Sequence, residues 1–384
     1  MSTKILVVDD EPDLKLLIQQ KFRRQIRDGR FDFLFAHNGI EALAQLDSNP
    51  NVDLVLSDIN MPEMDGLTLL TKLPVSNSLK AVMVSAYGDL QNIRTAMNRG
   101  AFDFVTKPID FDDLELTIQK TIDELLKIRD GLLARQELLA IRRELEVARQ
   151  IQQSILPRDF GPKGPTRGVS IFAAMHAANE VGGDFYDFFM IDEERMGVVV
   201  GDVAGKGVPA AIYMSLSRTL LRATAQLGLD AGECLRQANR TMCLEGDSGL
   251  FVTIVYVIVN TRTGELSYCS GGHFPPYFAR ANGTVESAPL VGGMVLGIDA
   301  DARYDTGHAT MGAGDLLFLY SDGVTEAVNR ADEFYGDERL DAAALAVAGK
   351  DEKTATESIV ETVRAFAGGR TQSDDITLVA VRRA

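Results

Sequence analysis

The chain has 384 residues, of which 46% are hydrophobic, and its formal net charge is −16 at pH 7. This length is typical of two or three domains with buried cores. No apolar run reaches the ~18 residues that a membrane-spanning helix needs, and aspartates interrupt the amino-terminal stretch MSTKILVVDD before a secretory signal could form. The three scattered cysteines, Cys234, Cys243 and Cys269, match neither a disulfide framework nor a zinc site. We therefore expect a cytoplasmic protein with no membrane partner.

Charge is distributed unevenly along the chain. Residues 1–122 carry 13 basic and 18 acidic side chains, residues 123–168 carry 9 and 7, and residues 169–384 carry 17 and 30. The acidic carboxy-terminal region argues against nucleic acid as a partner, because nucleic-acid binding depends on neutralising phosphates with Lys and Arg. Acids gathered at one place could hold divalent cations, or they could simply form a solvated surface.

Short apolar runs alternate with helical patterns in the first 122 residues. Strands are predicted at Lys4–Val8, Val52–Ser57, Ala81–Ser85 and Ala101–Thr106, and helices at Asp13–Gln25, Gly39–Leu46 and Gly66–Leu73. Strand–helix alternation at this spacing predicts an α/β doubly wound parallel sheet, whose ligands bind beyond the carboxyl ends of the strands.

Polar side chains stand at those strand ends: Asp9, Asp10, Asp58, Ser85 and Lys107. Carboxylates can hold Mg²⁺, which prefers oxygen ligands. A carboxylate can also attack a phosphoryl group and carry it as an acyl phosphate. A hydroxyl and an ammonium group would then hold the new phosphoryl oxygens.

The motifs VVDDE, SDINMPEMDG, VSAYG and the pair Lys107-Pro108 resemble a response-regulator receiver domain. The resemblance implies that Asp58 is the phosphoacceptor and that a cognate histidine kinase or phosphotransfer protein supplies the phosphoryl group. It also implies that Mg²⁺ is held by Asp9, Asp10, Asp58 and the Asn60 carbonyl, and that the receiver switch consists of Ser85, Phe104 and Lys107. The alternative is a flavodoxin-like domain in which these acids meet by chance.

The segment from Phe111 to Leu156 has the apolar stripe of a long amphipathic helix. Asp110 is a plausible N-cap, and Pro157 marks the far end. Two heptad registers follow each other without joining in phase near Leu138–Ile141, the first through Ile118, Ile122, Leu125, Arg129, Leu132, Gln136 and Leu139, the second through Leu138, Ile141, Leu145, Ala148, Gln152 and Ile155. We expect a marginal coiled coil that makes the protein a homodimer; the alternative is one helix packed on its own domain.

We therefore divide the chain into a receiver domain at 1–122, a helical linker at 123–157 and a third domain at 169–384, with Gly161–Pro165 as loop. In the third domain, strands are predicted at Met196–Val200, Phe251–Val259, Leu266–Ser270, Asp315–Tyr320 and Ile376–Val381, and helices at Pro209–Gln226, Ala231–Leu244 and Thr354–Ala367. The second and third strands are predicted to form a hairpin. The pattern favours an α+β domain, with an antiparallel sheet or a β-sandwich of two sheets flanked by helices.

Four aspartates of this domain stand at strand boundaries beside Gly or Ser: Asp184, Asp202, Asp322 and Asp374. Carboxylates that converge from distant parts of a chain can bridge two metal ions, which together activate a hydroxide and clamp a phosphoryl group. No nucleophile elbow or His-rich ligand set suggests a covalent or zinc mechanism. On spacing alone, ordinary Asp-Gly turns would explain the same pattern.

The motifs EVGGDFYD, GDVAGKGVPAA, SGGHFPP, YSDGVTEA and SDDITLV, in this order, resemble the metal-dependent serine phosphatases of the protein phosphatase 2C-like class, in their RsbU and SpoIIE branch. The stretch LEVARQIQQSILP resembles the helix that precedes such domains. The resemblance implies catalytic, metal-binding roles for Asp184, Asp202, Asp322 and Asp374, further ligands in the Val203 carbonyl and Asp375, and two Mn²⁺ or Mg²⁺ ions.

Together the resemblances imply a phosphorylation-controlled protein serine/threonine phosphatase in a two-component, partner-switching pathway. Its expected substrate is a phosphorylated STAS-domain anti-anti-sigma factor. The alternative is a non-enzymatic adaptor that uses the phosphatase-like fold to bind a sigma factor. His273 is either a general acid or a buried structural residue, and Lys206 either meets substrate phosphate or is solvated.

Overall fold

The computed structural model describes residues 2–74, 79–86, 89–158, 168–245 and 249–384. Tyr87 and Gly88 of the VSAYG motif and the predicted loop Gly161–Pro165 lie outside these residues. The chain divides into two compact units, Met1–Ala140 and Ile141–Ala384. In the described ranges, a search for helices with the length and apolarity of a membrane span finds none.

The first unit contains a doubly wound parallel sheet, as the sequence predicts, and its strand order is β2-β1-β3-β4-β5. Its strands are β1 (Thr3–Val8), β2 (Phe31–Ala36), β3 (Leu54–Asp58), β4 (Lys80–Ala86) and β5 (Asp103–Lys107). Its helices are α1 (Pro12–Lys21), α2 (Arg23–Arg27), α3 (Gly39–Ser48), α4 (Gly66–Lys72), α5 (Leu90–Asn98) and the first part of α6 (Phe111–Ile155). Alternate residues of β1 to β4 enter the two apolar clusters on opposite faces of the sheet.

Helix α6 confirms the long helix predicted between the two regions. The Asp110 carboxylate accepts a hydrogen bond from the Asp112 amide at 2.9 Å, which satisfies one of the unpaired donors at the helix start. The predicted domain limits within this helix stay a prediction.

The prediction that Ile118, Ile122 and Leu125 lie in a coiled-coil seam is wrong. Ile118, Ile122 and Leu125 are 0%, 8% and 2% exposed because they are buried within the first unit, where Ile118 and Ile122 belong to the cluster beneath the sheet. Arg129 lies beyond them, and its guanidinium forms an ion pair of 2.5 Å with Asp53. This part of the helix therefore packs on its own domain, which was the alternative to a coiled coil.

Farther along α6, apolar side chains are exposed. We call this set the helix stripe: Leu132, Leu133, Leu138, Leu139, Ile141, Val147 and Ile151. A coiled coil formed by these residues stays a prediction.

The second unit contains two sheets, in agreement with the predicted sandwich. The first has the order β13-β10-β9-β8-β7, with β14 also paired to β10, and the second has the order β12-β11-β15-β16-β6. The strands are β6 (Val169–His176), β7 (Phe185–Met190), β8 (Arg195–Val203), β9 (Val252–Asn260), β10 (Glu265–Gly271), β11 (Tyr277–Ala279), β12 (Val285–Ser287), β13 (Gly292–Gly293), β14 (Gly307–Thr310), β15 (Leu316–Tyr320) and β16 (Ile376–Arg383). The predicted β9–β10 hairpin is confirmed.

Helices cover both outer faces of this sandwich. They are α7 (Val208–Ala225), α8 (Ala231–Glu245), α9 (Asp322–Thr325), α10 (Gly336–Val347) and α11 (Glu352–Ala367). Helices α7 and α8 contact the first sheet, and α10 and α11 contact the second. Along β15, Leu317 and Leu319 face the core between the sheets, whereas Leu316 and Phe318 face the cluster beneath α10 and α11. Because alternate side chains of β15 are buried in these two clusters, the strand is apolar throughout.

Candidate active and phosphoacceptor sites

The first site lies at the carboxyl ends of the parallel strands, where the sequence predicts it. Asp9 and Asp10 follow β1, and Asp58 and Lys107 end β3 and β5. Carboxylate oxygens of Asp9, Asp10 and Asp58 lie within 4.8 Å of one another. The Lys107 ammonium lies 2.6 Å from Asp58 Oδ2 and 3.1 Å from Asp9 Oδ2. Three carboxylates at this separation fit a divalent cation with oxygen ligands.

Burial and charge determine the electrostatics of this cluster. Burial raises the pKa of Asp9, although hydrogen bonds oppose the shift. Burial disfavours the charged form of Lys107, but its hydrogen bonds to Asp58 and Glu11 outweigh that effect and raise its pKa. The ammonium group therefore stays charged beside the acids.

The turn after Asp58 depends on the sequence MDG. A Cβ atom at Gly66 would lie 2.0 Å from the Asp58 carbonyl oxygen, so only glycine allows α4 to start there. The Asp65 carboxylate caps this helix by accepting the Thr68 amide at 2.7 Å. The backbone N–H of Asn60 donates a hydrogen bond to Asp58 Oδ1 at 3.3 Å, which holds the carboxylate at the edge of the sheet.

The two expected switch residues lie on neighbouring strands. Ser85 is fully buried in β4, and its hydroxyl has no hydrogen-bond partner among the residues that the structure describes. Phe104 on β5 is 37% exposed and pairs with Met83 in the strand register. A buried hydroxyl without a partner fits a residue that awaits a phosphoryl oxygen; the switch roles themselves stay predictions.

The second site lies at one end of the sandwich, where both sheets contribute aspartates. Asp184 comes directly before β7, and Asp202 lies within β8 of the same sheet. Asp322 starts α9 directly after β15, and Asp374 comes just before β16 of the other sheet. The structure thus brings to one end of the fold four residues that are up to 190 positions apart in the sequence.

Glycines beside these aspartates permit close backbone approaches. A Cβ atom at Gly182 would lie 1.8 Å from Asp375 Oδ2, and one at Gly323 would lie 1.9 Å from the Asp375 carbonyl oxygen. A Cβ atom at Gly183 would lie 2.7 Å from the Val203 carbonyl oxygen. The glycines of the GGD and SDG motifs are therefore required for these backbone segments to approach one another at the site.

The four carboxylates repel one another, and their burial ranges from the fully buried Asp184 to Asp374, whose side chain is 44% exposed. Burial, followed by the charges of Asp322 and Asp374, raises the pKa of Asp202 to about 7. Burial and Asp202 raise the pKa of Asp184, and burial and Asp374 raise that of Asp322. A bound cation would relieve both the repulsion and the loss of solvation.

Within the described ranges of the chain, one oxygen of this site has no hydrogen-bond partner. Asp322 Oδ1 is buried and accepts no hydrogen bond, whereas Asp184 Oδ2 accepts one from the Thr377 hydroxyl at 2.6 Å. In the described part of the chain, three acids within 4.8 Å are found only at Asp9, Asp10 and Asp58, so the aspartates of the sandwich are spread more widely. The unpaired oxygen of Asp322 fits the binding of a divalent cation at this site.

Asp375, beside the four aspartates described above, accepts hydrogen bonds from two backbone amides. Its Oδ1 accepts the Ala178 amide at 2.8 Å, and its Oδ2 accepts the Asp184 amide at 3.5 Å. The carboxylate thus holds the loop that carries Asp184. Its role as a metal ligand stays a prediction.

His273 is a structural residue in this geometry. Its ring nitrogens bond to the Thr253 hydroxyl at 2.8 Å and the Tyr320 carbonyl at 3.0 Å. Because a carbonyl can only accept, Nε2 carries the proton and Nδ1 accepts from Thr253. Burial lowers the pKa of His273 to about 4, so the ring is neutral near pH 7. It joins β9 of one sheet to β15 of the other.

Lys206 approaches the site from its rim. Its ammonium donates to the Ser373 carbonyl at 2.7 Å and lies 3.6 Å from Asp374 Oδ2. Although the side chain is 60% exposed, it is therefore tied to the loop that carries Asp374.

The heptad pattern predicts Gln152 in a coiled-coil seam, and this prediction is wrong. Gln152 is 4% exposed; its Nε2 donates to the Gly182 carbonyl at 2.6 Å, and its Oε1 accepts the Gly182 amide at 3.3 Å. Gly182 lies two residues before Asp184. Helix periodicity cannot predict such a contact, since the partner lies 30 residues farther along the chain.

Comparison with known proteins gives two family matches. Residues 192–384, just over half of the chain, match the family described as Stage II sporulation protein E (SpoIIE), and residues 5–119 match the response regulator receiver domain.

Two curated relatives match parts of the chain. Protein IcfG of Synechocystis sp. (strain ATCC 27184 / PCC 6803 / Kazusa) is 30% identical over 270 residues, which are 63% of this chain and 42% of that protein. Phosphoserine phosphatase RsbU of Bacillus subtilis (strain 168) is 32% identical over 188 residues, which are 48% of this chain and 54% of that protein. The chain spans about half the length of these relatives.

Among solved structures, the SiaA-PP2C domain of Pseudomonas aeruginosa has a TM-score of 0.56 and 24% identity, and the match covers 64% of this chain and 98% of that one. At this identity the likeness concerns the fold alone. The matched ranges, the parallel sheet and the sandwich agree, and the chain belongs to the Stage II sporulation protein E (SpoIIE) family, with a response regulator receiver domain preceding the SpoIIE domain.

Proposed function

We propose that the chain is a receiver-controlled, metal-dependent protein serine/threonine phosphatase. The observation that carries the proposal is the set of mutually repelling carboxylates of Asp184, Asp202, Asp322 and Asp374 at one end of the sandwich, of which Asp184 is fully buried. Among the described residues only Asp374 has a basic partner, Lys206 at 3.6 Å, whereas a purely structural site would pair each of these charges with Lys or Arg. The relative named phosphoserine phosphatase RsbU supports the same activity.

The four carboxylates and the Val203 carbonyl would hold two Mn²⁺ or Mg²⁺ ions, with Asp375 beside them. When bound, such a pair supplies a hydroxide nucleophile at neutral pH and neutralises charge on the phosphoryl group.

The protein itself positions these ligands. The Thr377 hydroxyl fixes one oxygen of Asp184, and Lys206 holds the loop of Asp374 through the Ser373 carbonyl. His273, neutral and bonded on both sides, keeps the two sheets together at the site and does not act as a general acid.

In the receiver domain, we propose that an Asp58 carboxylate oxygen attacks the phosphorus of a phosphohistidine or small phosphodonor, whose own bond to phosphorus breaks. Asp9, Asp10, Asp58 and the Asn60 carbonyl would hold Mg²⁺ there. Lys107, 2.6 Å from Asp58, would neutralise charge on the acyl phosphate, and the unpaired Ser85 hydroxyl would donate to one of its oxygens. Labelling with acetyl phosphate should disappear in Asp58→Ala and persist in Asp47→Asn; persistent labelling of Asp58→Ala would place the acceptor elsewhere.

Control of the phosphatase would pass through α6. The helix stripe would pair two copies of the chain, and phosphorylation would change that pairing. Gln152 supports this route because it joins α6 directly to the loop of Asp184. A few kcal/mol between two pairings is enough to shift such an equilibrium.

The proposed substrate is a serine-phosphorylated STAS-domain anti-anti-sigma protein of a partner-switching pathway. Phosphate release from such a protein, measured with and without Mn²⁺, tests the activity. Hydrolysis that needs Mn²⁺ is the expected result. Tight binding of a sigma factor without any hydrolysis would instead favour the adaptor.

A further inference from the structure

A cleft of about 600 Å³ opens directly beside the aspartates of the sandwich. Its lining includes Phe274, Pro275, Leu290, Glu326 and Asp322, one of the proposed metal ligands. The volume lies in the range of about 300–1,000 Å³ that ligand sites occupy. Because Asp322 forms part of the wall, a phosphoserine at the metal site would place its neighbouring residues in this cleft.

One side of the cleft is apolar and well fixed. The Phe274 ring stacks on Tyr320 with centroids 5.1 Å apart, and Pro275 follows it. Leu290 is 71% exposed, so its side chain contributes little to the folded core. An exposed leucine on the wall of a cleft offers apolar contact to whatever enters.

Glu326 supplies a negative charge in the same cleft. Its side chain is exposed, and within the described residues its carboxylate forms no hydrogen bond or ion pair. The Glu326 amide donates to the Asp322 carbonyl at 2.7 Å, which places Glu326 directly after α9 and beside the metal site. Residues 169–384 carry 17 basic and 30 acidic side chains, so little positive charge of the domain itself competes for this group.

We propose that this cleft binds the substrate segment next to the phosphoserine and selects a Lys or Arg side chain there. The inference rests on the proposed phosphatase function. The aliphatic stem of a long basic residue would lie on Phe274, Pro275 and Leu290, while its charged end would reach Glu326. A leucine would satisfy the apolar wall alone, and an acidic residue would be repelled.

Phosphoserine peptides that differ at one position provide the test. Full-length protein with Mn²⁺ is assayed on peptide sets carrying Lys, Leu or Glu at each of the three positions on either side of the phosphoserine. Every kcat/KM is divided by the same variant's kcat/KM for p-nitrophenyl phosphate, which has no flanking residues, so that effects on the metal site cancel. We expect the Lys peptide to exceed the Glu peptide by about three- to fivefold at one or more positions.

Two variants and one control separate the contributions of charge and apolar contact. Glu326→Gln should remove the preference for Lys over Glu, and Glu326→Lys should invert it. Leu290→Ser should raise KM for both the Lys and the Leu peptides by about threefold, as expected from the loss of one exposed apolar contact. Glu361→Lys, an equal change of charge on the exposed face of α11, should leave the preference as it is.

The outcomes distinguish this inference from the proposed function. Without hydrolysis of p-nitrophenyl phosphate or any peptide in Mn²⁺, the proposed function is wrong and the inference falls with it. If hydrolysis is efficient but the normalised values for Lys and Glu peptides are equal at every position, or if Glu326→Lys keeps the preference for Lys, only the inference is overturned.

Discussion

Asp202 and Asp322 carry carboxylates whose charged forms are unfavourable in the absence of a cation. Burial and neighbouring acids raise the pKa of both. Asn at either position keeps the size of the side chain but removes one charge and one ligand. We expect Asp202→Asn and Asp322→Asn to lower Mn²⁺-dependent phosphate release by at least about 100-fold, while the thermal midpoint without metal stays equal or rises.

Phosphate release and thermal unfolding of each variant check this prediction, with the exposed Asp301→Asn as the control. Near-normal turnover of either site variant at saturating Mn²⁺ would show that its carboxylate is not a necessary ligand.

His273 gives the second unit a predictable dependence on pH. Its pKa falls from 6.5 to about 4 on folding because the ring is buried. Between these values the unfolded chain binds a proton that the folded chain does not, so the contribution to stability is complete above pH 6.5 and is lost as pH falls towards 4. Its full size is about 3 kcal/mol, of which about 2 kcal/mol is lost by pH 5.

Urea unfolding of the full chain at pH 7 and pH 5 measures this contribution. His273→Asn should reduce the loss of stability between the two pH values by about 2 kcal/mol relative to the unmodified chain. His308→Gln, a change at an exposed histidine, should not alter it. An unchanged loss in His273→Asn would mean that His273 is protonated in the folded state.

The sequence predicts the role of a single residue where a short motif itself contains the chemical groups of the site. Asp9, Asp10 and Asp58 lie together because the carboxyl ends of parallel strands meet at one edge of the sheet, whereas the aspartates of the sandwich come from two sheets whose packing the spacing alone does not predict. Thr377 and Gln152 were not assigned to the site, since each meets a partner far away in sequence. The sequence alone is compatible with two roles for His273, because the partners of its ring nitrogens, Thr253 and Tyr320, lie far from it in the chain.

At the scale of elements, buried strands were predicted where apolar runs are unbroken. The sequence does not predict strand β2 (Phe31–Ala36), because Asp32 interrupts its apolar run. Pairing with β1 makes this segment part of the sheet. Helix α6 was predicted in full, but its partners were not. Periodicity shows that a stripe is apolar and cannot tell whether the same domain or a second chain covers it.

Gln152 is the point at which α6 controls the metal site in our account. Its side chain satisfies both the amide and the carbonyl of Gly182. Gln152→Ala would leave these groups unpaired and free the loop of Asp184, at a cost of about 1–3 kcal/mol. We expect weaker Mn²⁺ activation, with about tenfold more metal needed for half-maximal activity.

The matched control is Gln153→Ala, whose exposed side chain lies one position along the same helix. Metal titration of phosphatase activity compares the two variants. Equal metal requirements in both would mean that the contact is structural and does not act on the site.

At the scale of the whole molecule, the exposed helix stripe predicts self-association. Leu132 and Leu139 are 44% and 46% exposed, and they follow each other at heptad spacing. Leu132→Glu with Leu139→Glu would place charges in the seam. We expect a dimer at micromolar concentration to become a monomer, as measured by sedimentation, while exposed Gln153→Glu leaves it dimeric. If the unmodified chain is a monomer at this concentration, the prediction is wrong and α6 only connects the two domains.

The central claim is that the receiver domain controls a phosphatase. Its most direct test is the rate of phosphate release from a phosphorylated STAS-domain protein by the full chain with Mn²⁺, with and without acetyl phosphate. We predict a change in rate of at least about tenfold, equivalent to about 1.4 kcal/mol, that disappears in Asp58→Asn. The same rate with and without acetyl phosphate, when Asp58 is demonstrably labelled, would contradict the account.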